Sequence, residues 1–280
     1  MQKNEKKVAV ITGGSQGIGR CIAEKFAGNG YATVICARTE GDVKKASAEI
    51  GNGCEGVALD VSDSKAVSEA FSNIAKRHGR IDVLVTCAGI YGPIGTLEEN
   101  DAEKWEQALM INLCGTVFCV RAALPVMKKQ NDGCIITLAG GGAGGAKIKP
   151  NFSSYVTSKF AVAGFTEAVS KELEGTGVRI NAISPGAVNT RLLEQVLSAG
   201  KSAGKEFLEA SKKQKQGGGT PPELSAKLAL FLASDKARNV SGRMLSAVWD
   251  KEDEIAAIGA KGSLYTLRRI DDELFSEKKK

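Results

Sequence analysis

Tyr155 and Lys159 stand four residues apart in Ser153-Ser154-Tyr155-Val156-Thr157-Ser158-Lys159. The apolar residues that follow (Phe160, Ala161, Val162, Phe165, Ala168, Val169, Leu173) recur at helical spacing. The phenol and the ammonium therefore share one helix face, within side-chain reach of each other. A pair held that way can move a proton. Full ionisation of a tyrosine at neutral pH asks for about 4 kcal/mol, and a neighbouring cation supplies part of it. The same spacing also fits an ordinary surface Tyr and Lys one turn apart, so the rest of the chain must decide.

Near the other end, a buried-strand pattern over 7–11 runs straight into Thr12-Gly13-Gly14-Ser15-Gln16-Gly17-Ile18-Gly19, then into a helical pattern (Ile22, Ala23, Phe26, Ala27) and a second strand, 32–37. Strand, glycine loop, helix and strand in that order form the setting in which a pyrophosphate is bound. The glycines let the backbone approach the phosphates, and the helix start offers free N–H groups and a positive dipole end. A plain tight turn is the alternative. Further strand and helix patterns alternate, with a helical stretch over 102–129 expected to break at Gly115 and Pro125 and a last strand over 241–248. This predicts a doubly wound, Rossmann-type α/β domain: about seven parallel strands with helices on both faces.

The chain has 280 residues, 42% hydrophobic and 25% charged, which suits one large domain or two small ones. Residues 1–250 are expected to form it, with a lid at roughly 190–220 and a C-terminal extension over 251–280. The polar start predicts no signal peptide, and no apolar run approaches the ~20 residues that span a bilayer. A soluble, cytoplasmic protein without membrane or nucleic-acid partners is expected: the net charge of +6 is modest and its lysines lack interleaved aromatics. Seven cysteines without a CxxC pair read as reduced thiols. The single histidine, His78, excludes a histidine-based metal cluster and leaves a Ser-His-Asp triad implausible. No metal site is expected.

The spacing Gly13-xxx-Gly17-x-Gly19 is similar to the TGxxxGIG fingerprint of the short-chain dehydrogenase/reductase superfamily. The chain resembles that family over roughly residues 5–248, with motifs in the family's order. The resemblance implies a nicotinamide cofactor held by Gly13, Ser15, Gln16, Gly17, Ile18 and Gly19 at the phosphates. It places Asp60 and Val61 along the adenine, Ala88 and Gly89 behind the cofactor, and Pro185, Gly186, Val188 and Thr190 against the nicotinamide and its phosphates. Arg38 follows Ala37 where an acidic residue would select the 2′-hydroxyl; this is similar to NADP-preferring members, so NADP(H) is expected ahead of NAD(H). A solvated Arg at a strand end is the alternative.

For the chemistry, the resemblance implies that Tyr155 exchanges a proton with a carbonyl or hydroxyl. Lys159 lowers its pKa and bonds the nicotinamide ribose, and Asn112 supports a proton relay. Asn112 also has a purely structural alternative, tying two backbone groups together. The implied activity is NAD(P)-dependent interconversion of an alcohol and a ketone or aldehyde, in a homotetramer or homodimer. Two departures stand out. Thr86-Cys87-Ala88-Gly89 keeps only the last two residues of the family's NNAG. Where the family has a catalytic Ser, Gly140 (by motif) or Gly142 (by interval) carries no hydroxyl. A hydrogen bond of that kind contributes about 1.5–3 kcal/mol, so Thr137, Ser153 or Ser154 comes into question as a substitute. Cofactor binding with weak or no catalysis, or dehydration or epimerisation of an activated sugar, are the other readings.

Overall fold

Strand β1 (Val8–Thr12) is buried at every position, which a parallel strand covered on both faces requires. The structure is a computed structural model and describes residues 6–140, 142–143, 148–258 and Thr266. β1 pairs with β2 (Ala32–Ala37) on one side and β4 (Val83–Thr86) on the other, Val10 standing opposite both Val34 and Leu84. With β3 (Glu55–Ala58), β5 (Gly133–Leu138), β6 (Val178–Ser184) and β7 (Met244–Ser246), they form a parallel sheet in the order β3-β2-β1-β4-β5-β6-β7. The order reverses between β1 and β4. Open α/β sheets bind ligands at such a crevice, outside the carboxyl ends of the strands.

Alternation along the strands divides the interior in two. Ala9, Ile11, Ile35, Val85 and Ile136 pack with α1 (Gly17–Gly28), α2 (Glu40–Ile50) and α9 (Pro222–Leu232), which bring Phe26, Val43 and Leu232. Val8, Val10, Val34, Leu84 and Ile135 pack with α3 (Ser64–His78), α5 (Gly115–Gln130) and α6 (Ser153–Glu172), which bring Phe71, Val120 and Val169. This is the doubly wound Rossmann-type sheet that the strand–helix alternation predicts. Local signals set the helix ends: the Asp63 carboxylate accepts from the N–H groups of Lys65 and Ala66 to start α3, as N-caps do.

Two expectations are corrected. The helix over 102–129 is not broken at Gly115 and Pro125: α4 (Ala102–Leu109), a π-helical turn (Met110–Cys114) and α5 run on without a gap. Burial of Cys119, Val120, Ala123 and Met127 on either side of Pro125 outweighs the one backbone hydrogen bond a proline removes. By length and composition this helix is also apolar enough to cross a membrane, which the short apolar runs do not suggest; its buried face belongs to the core. The last strand is only Met244–Ser246, because Ser241 serves the preceding connection, its hydroxyl accepting from the Ile180 N–H at 3.2 Å.

Residues 190–220 form two helices, α7 (Arg191–Ala199) and α8 (Lys205–Gly217), tied by a 3.0 Å Lys215–Glu194 ion pair. The C-terminal extension opens with α10 (Glu252–Ile258), which sets Ile255 into the α9 core. Apart from Thr266, the rest of the extension lies outside the described residues. All seven cysteines are unpaired, and His78 ends α3 with Nε2 3.1 Å from Glu55.

Asp82, 5% exposed, anchors the N-terminal end of β4 to β1. Its carboxylate accepts from the Val8 N–H at 2.7 Å and from Arg80 Nε and Nη2 at 2.8 and 2.6 Å. Asp82→Ala leaves the buried Val8 N–H without that acceptor and removes the carboxylate from Arg80. A loss of about 2–4 kcal/mol is expected in urea unfolding, with the slope unchanged.

Candidate active site

Three adjoining cavities run along the carboxyl ends of the strands and share walls. Gly13, Ser15, Gln16, Arg38, Asp60, Val61, Ala88 and Gly89 line the first. Gly17, Ile18, Gly19, Cys87 and Thr190 join Gly13, Gln16 and Arg38 in the second. Ile18 and Thr190 continue into the third, where Tyr155, Pro185, Gly186 and Val188 stand. One groove thus gathers the residues expected around a dinucleotide, from the adenine end to the nicotinamide end. Lys159 and Asn112 are not on its wall but behind it, beside Gly89: a Cβ there would stand 3.1 Å from Asn112 Oδ1 and 3.8 Å from Lys159 Nζ.

The loop after β1 has the shape of a phosphate cradle. Gly13 has φ +67°, and a Cβ on it would lie 2.7 Å from the Ala88 nitrogen, so only glycine lets this loop close on the loop after β4. A Cβ on Gly19 would collide with the Gly13 carbonyl. α1 starts at Gly17 with no side-chain cap and no acidic residue in its first turn, leaving its N–H groups for an anion. These features fit a pyrophosphate. At the far end, Arg38 lines the first two cavities and shares both with Arg191, and neither has an ion-pair partner among the described residues. Asp42, in the first turn of α2, faces the first cavity as well. Asp42 and Arg191 escape a sequence reading, because one lies five residues past the strand end and the other belongs to the helix after β6.

Asn112 sits in the π-helical turn and is fully buried. Its Oδ1 accepts from the Ile90 N–H and its Nδ2 donates to the Ile90 carbonyl, both at 2.8 Å. Nδ2 also donates to Ser158 Oγ at 2.9 Å. Both backbone groups of Ile90 are thereby tied to α6, the helix that carries Tyr155 and Lys159, so the structural role of Asn112 is present. Lys159, 6% exposed, donates from Nζ to the Leu138 carbonyl at 2.8 Å. Burial brings its pKa down to about 8. Tyr155 projects into the third cavity, its ring 4.6 Å from that of Tyr91 and 5.6 Å from Lys159 Nζ.

The expected depression of the Tyr155 pKa is not what this geometry gives. Burial pushes the phenol well above its ordinary value, with Tyr91 and Cys87 adding to the rise. The ammonium is engaged by a carbonyl, so desolvation wins over attraction. Cys87, where the family's motif has an asparagine, is a neutral thiol that burial raises to about 11.

No hydroxyl stands on Ala139, Gly140, Gly142 or Ala143. Gly140 has φ +110°, a conformation that would strain a serine. The three candidate substitutes are committed elsewhere. Thr137 Oγ1 is paired with Thr166 Oγ1 at 2.7 Å, Ser153 Oγ accepts from Trp105 Nε1, and Ser154 Oγ donates to the Tyr91 carbonyl. Ser184, at the end of β6, has no hydrogen-bond partner for its hydroxyl among the described residues and lines the cavity with Tyr155. A Cβ on Gly140 would lie 4.0 Å from Ser184 Oγ, so that hydroxyl borders the space the absent side chain would enter. Its place directly before Pro185-Gly186 is the signal that could have marked it.

Residues 7–201 match the short chain dehydrogenase family. The chain belongs to the short-chain dehydrogenase/reductase superfamily. It is 36% identical over 244 residues to the short-chain reductase protein NovJ of Streptomyces niveus, covering 85% of this chain and 91% of that one. Among solved structures it is similar to actinorhodin polyketide ketoreductase with NADPH (26% identity, TM-score 0.79, covering 88% of this chain and 97% of that one). It is also similar to NAD+-bound xylitol dehydrogenase (25% identity, TM-score 0.79, covering 87% and 98%). This short-chain dehydrogenase/reductase is an oxidoreductase of alcohol/ketone pairs that uses a nicotinamide cofactor and acts on small molecules.

A buried ammonium costs stability. The folded pKa of Lys159, about 8, lies below its ordinary 10.5. The unfolded chain therefore binds the extra proton between those values, and stability rises with pH across that window. Lys159→Met is expected to unfold about 1–2 kcal/mol later at pH 7, the desolvation relieved less the lost bond to Leu138, and the gain should shrink toward pH 10.

Proposed function

We propose that this protein reduces a ketone or aldehyde with NADPH, Tyr155 giving its proton to the carbonyl oxygen. The observation that carries this reading is Tyr155 itself: a half-buried phenol facing the cavity that continues the dinucleotide groove. Held along the groove from Gly13 and Gly17 to Pro185 and Val188, NADPH would supply the hydride for the carbonyl carbon. Tyr155 then delivers the proton that turns the resulting oxyanion into an alcohol. A phenol is neutral at neutral pH and can give this proton, whereas the reverse oxidation needs its phenolate. Lys159 keeps a positive charge beside the proton path below pH about 8. Asn112 fixes the helix bearing both groups. Ser184 offers the oxygen a second hydrogen bond in place of the absent serine, which supports turnover over mere cofactor binding.

The preference for NADPH rests on Arg38, a cation facing the adenine-ribose end with no carboxylate partner of its own. A guanidinium suits a phosphate monoester, and Arg191 in the same cavity adds to the field. Asp42 opposes it, and NADH use at lower affinity follows. The residues from 190 to 220 are proposed to act as the wall that admits substrate, with dimers or tetramers as the assembly.

A purified sample tested with NADPH on a panel of ketones checks these roles. Tyr155→Phe should lose at least a thousandfold in kcat while binding NADPH normally; full turnover by this variant would refute the mechanism. Ser184→Ala should lose about ten- to a hundredfold in kcat, the worth of a hydrogen bond to developing charge, with Ser184→Thr recovering part of it. Arg38→Ala should weaken NADPH about ten- to a hundredfold and NADH only a few-fold. Ketone reduction should be level below pH about 8 and fall above it as Lys159 deprotonates, while alcohol oxidation climbs with pH.

A further inference from the structure

Beyond Tyr155, the third cavity continues along a ladder of aromatic rings. Tyr155 meets Tyr91 edge-on at 4.6 Å, Tyr91 meets Phe152 at 5.2 Å, and Phe152 meets Phe207 at 5.0 Å. Phe152, just before α6, is 1% exposed and packs between the loop after β4 (Tyr91, Ile94) and the helices α7 and α8. The ladder is therefore fixed to the core and not to a single loop. At its end the Lys149 ammonium sits 4.0 Å from the centre of the Phe207 ring.

Among the described residues lining this cavity, Lys149 is the one charged side chain, and no Asp or Glu is present. It has no hydrogen bond or ion pair among the described residues. As a residue it is exposed, yet burial lowers its pKa and no neighbouring carboxylate opposes that. A surface lysine ordinarily extends into water or meets a carboxylate. Here the cation is folded back over an aromatic ring, where desolvation is offset by the ring quadrupole alone. An anion arriving through the cavity would complete its pairing with a charge-assisted hydrogen bond.

We infer that Lys149 is a specificity residue, and that the substrate is a carbonyl compound bearing an anionic group, a carboxylate or a phosphate ester, joined to the carbonyl by an apolar stretch that lies along Tyr91 and Phe207. This inference rests on the reading of Tyr155 as the proton donor at the substrate carbonyl. It adds what the other end of the substrate must carry. The apolar walls select the connecting portion, and Lys149 sets its orientation.

Two arms test it. In the first, wild type, Lys149→Gln and Lys149→Arg are assayed with NADPH on levulinate and benzoylpropionate against their methyl esters, and on dihydroxyacetone phosphate against dihydroxyacetone. Wild type should favour the anionic member of at least one pair tenfold or more in kcat/KM. Lys149→Gln should bring that ratio near one through KM, and Lys149→Arg should keep most of it. The pair that shows the preference tells carboxylate from phosphate. In the second arm, calorimetry measures binding of the same pairs to the Tyr155→Phe protein with NADPH bound, so a failure of the catalytic reading leaves this one still tested. Neutral members binding as tightly as anionic ones, or an anion preference that survives Lys149→Gln, would overturn the inference.

Discussion

The amide of Asn112 is the joint on which the site depends. One side chain satisfies both backbone groups of Ile90 and reaches the Ser158 hydroxyl, so the loop after β4, the π-helical turn and α6 are locked to one another. A π-turn inside a long helix is a costly local choice and is concentrated at functional sites. Here it presents a polar side chain, fully buried, to partners that regular helix geometry would hold at a different angle. Ser158 then donates to the Tyr155 carbonyl at 2.7 Å, extending the lock to the residue that faces the cavity. Everything the groove offers on its β4 side, from Ala88 to Tyr91, is positioned by that joint.

Against this fixed frame, the two titrating groups are set by burial more than by each other. Lys159 donates its hydrogen bond to the Leu138 carbonyl, and burial among apolar and aromatic neighbours raises the Tyr155 phenol above its ordinary value. The result is a proton donor suited to reduction, with a cation close enough to respond to pH in the physiological range. The glycines at the usual serine position belong to the same logic. With φ +110° at Gly140, that backbone leaves room next to Ser184 and Pro185 instead of carrying a hydroxyl of its own.

Much of this was legible before any coordinates. The strand–loop–helix patterns and the spacing of Gly13, Gly17 and Gly19 led to the seven-stranded sheet and to the groove, because periodicity and backbone permissiveness are local properties. Tyr155 and Lys159 are read from a four-residue spacing, and their shared helix is present. What the sequence hid depends on contacts between distant segments. The carbonyl that takes up Lys159 comes from β5, the hydroxyl nearest the missing serine from the end of β6, and the cation at the end of the aromatic ladder from the loop before α6. Helix breaks at Gly115 and Pro125 were misread for a related reason: flanking core contacts, invisible in a local pattern, override the proline. The sign of the Tyr155 shift was likewise out of reach, since spacing reveals a neighbouring charge but not how deeply the pair is buried.

Labelling the tyrosines with carbon-13 at Cζ and titrating them by NMR probes the balance between burial and charge at its source. One resonance, identified by its disappearance in Tyr155→Phe, is predicted to remain that of the neutral phenol beyond the ordinary tyrosine range near pH ~10. A phenolate signal from Tyr155 near neutral pH would contradict this account, showing that Lys159 and not burial governs the proton.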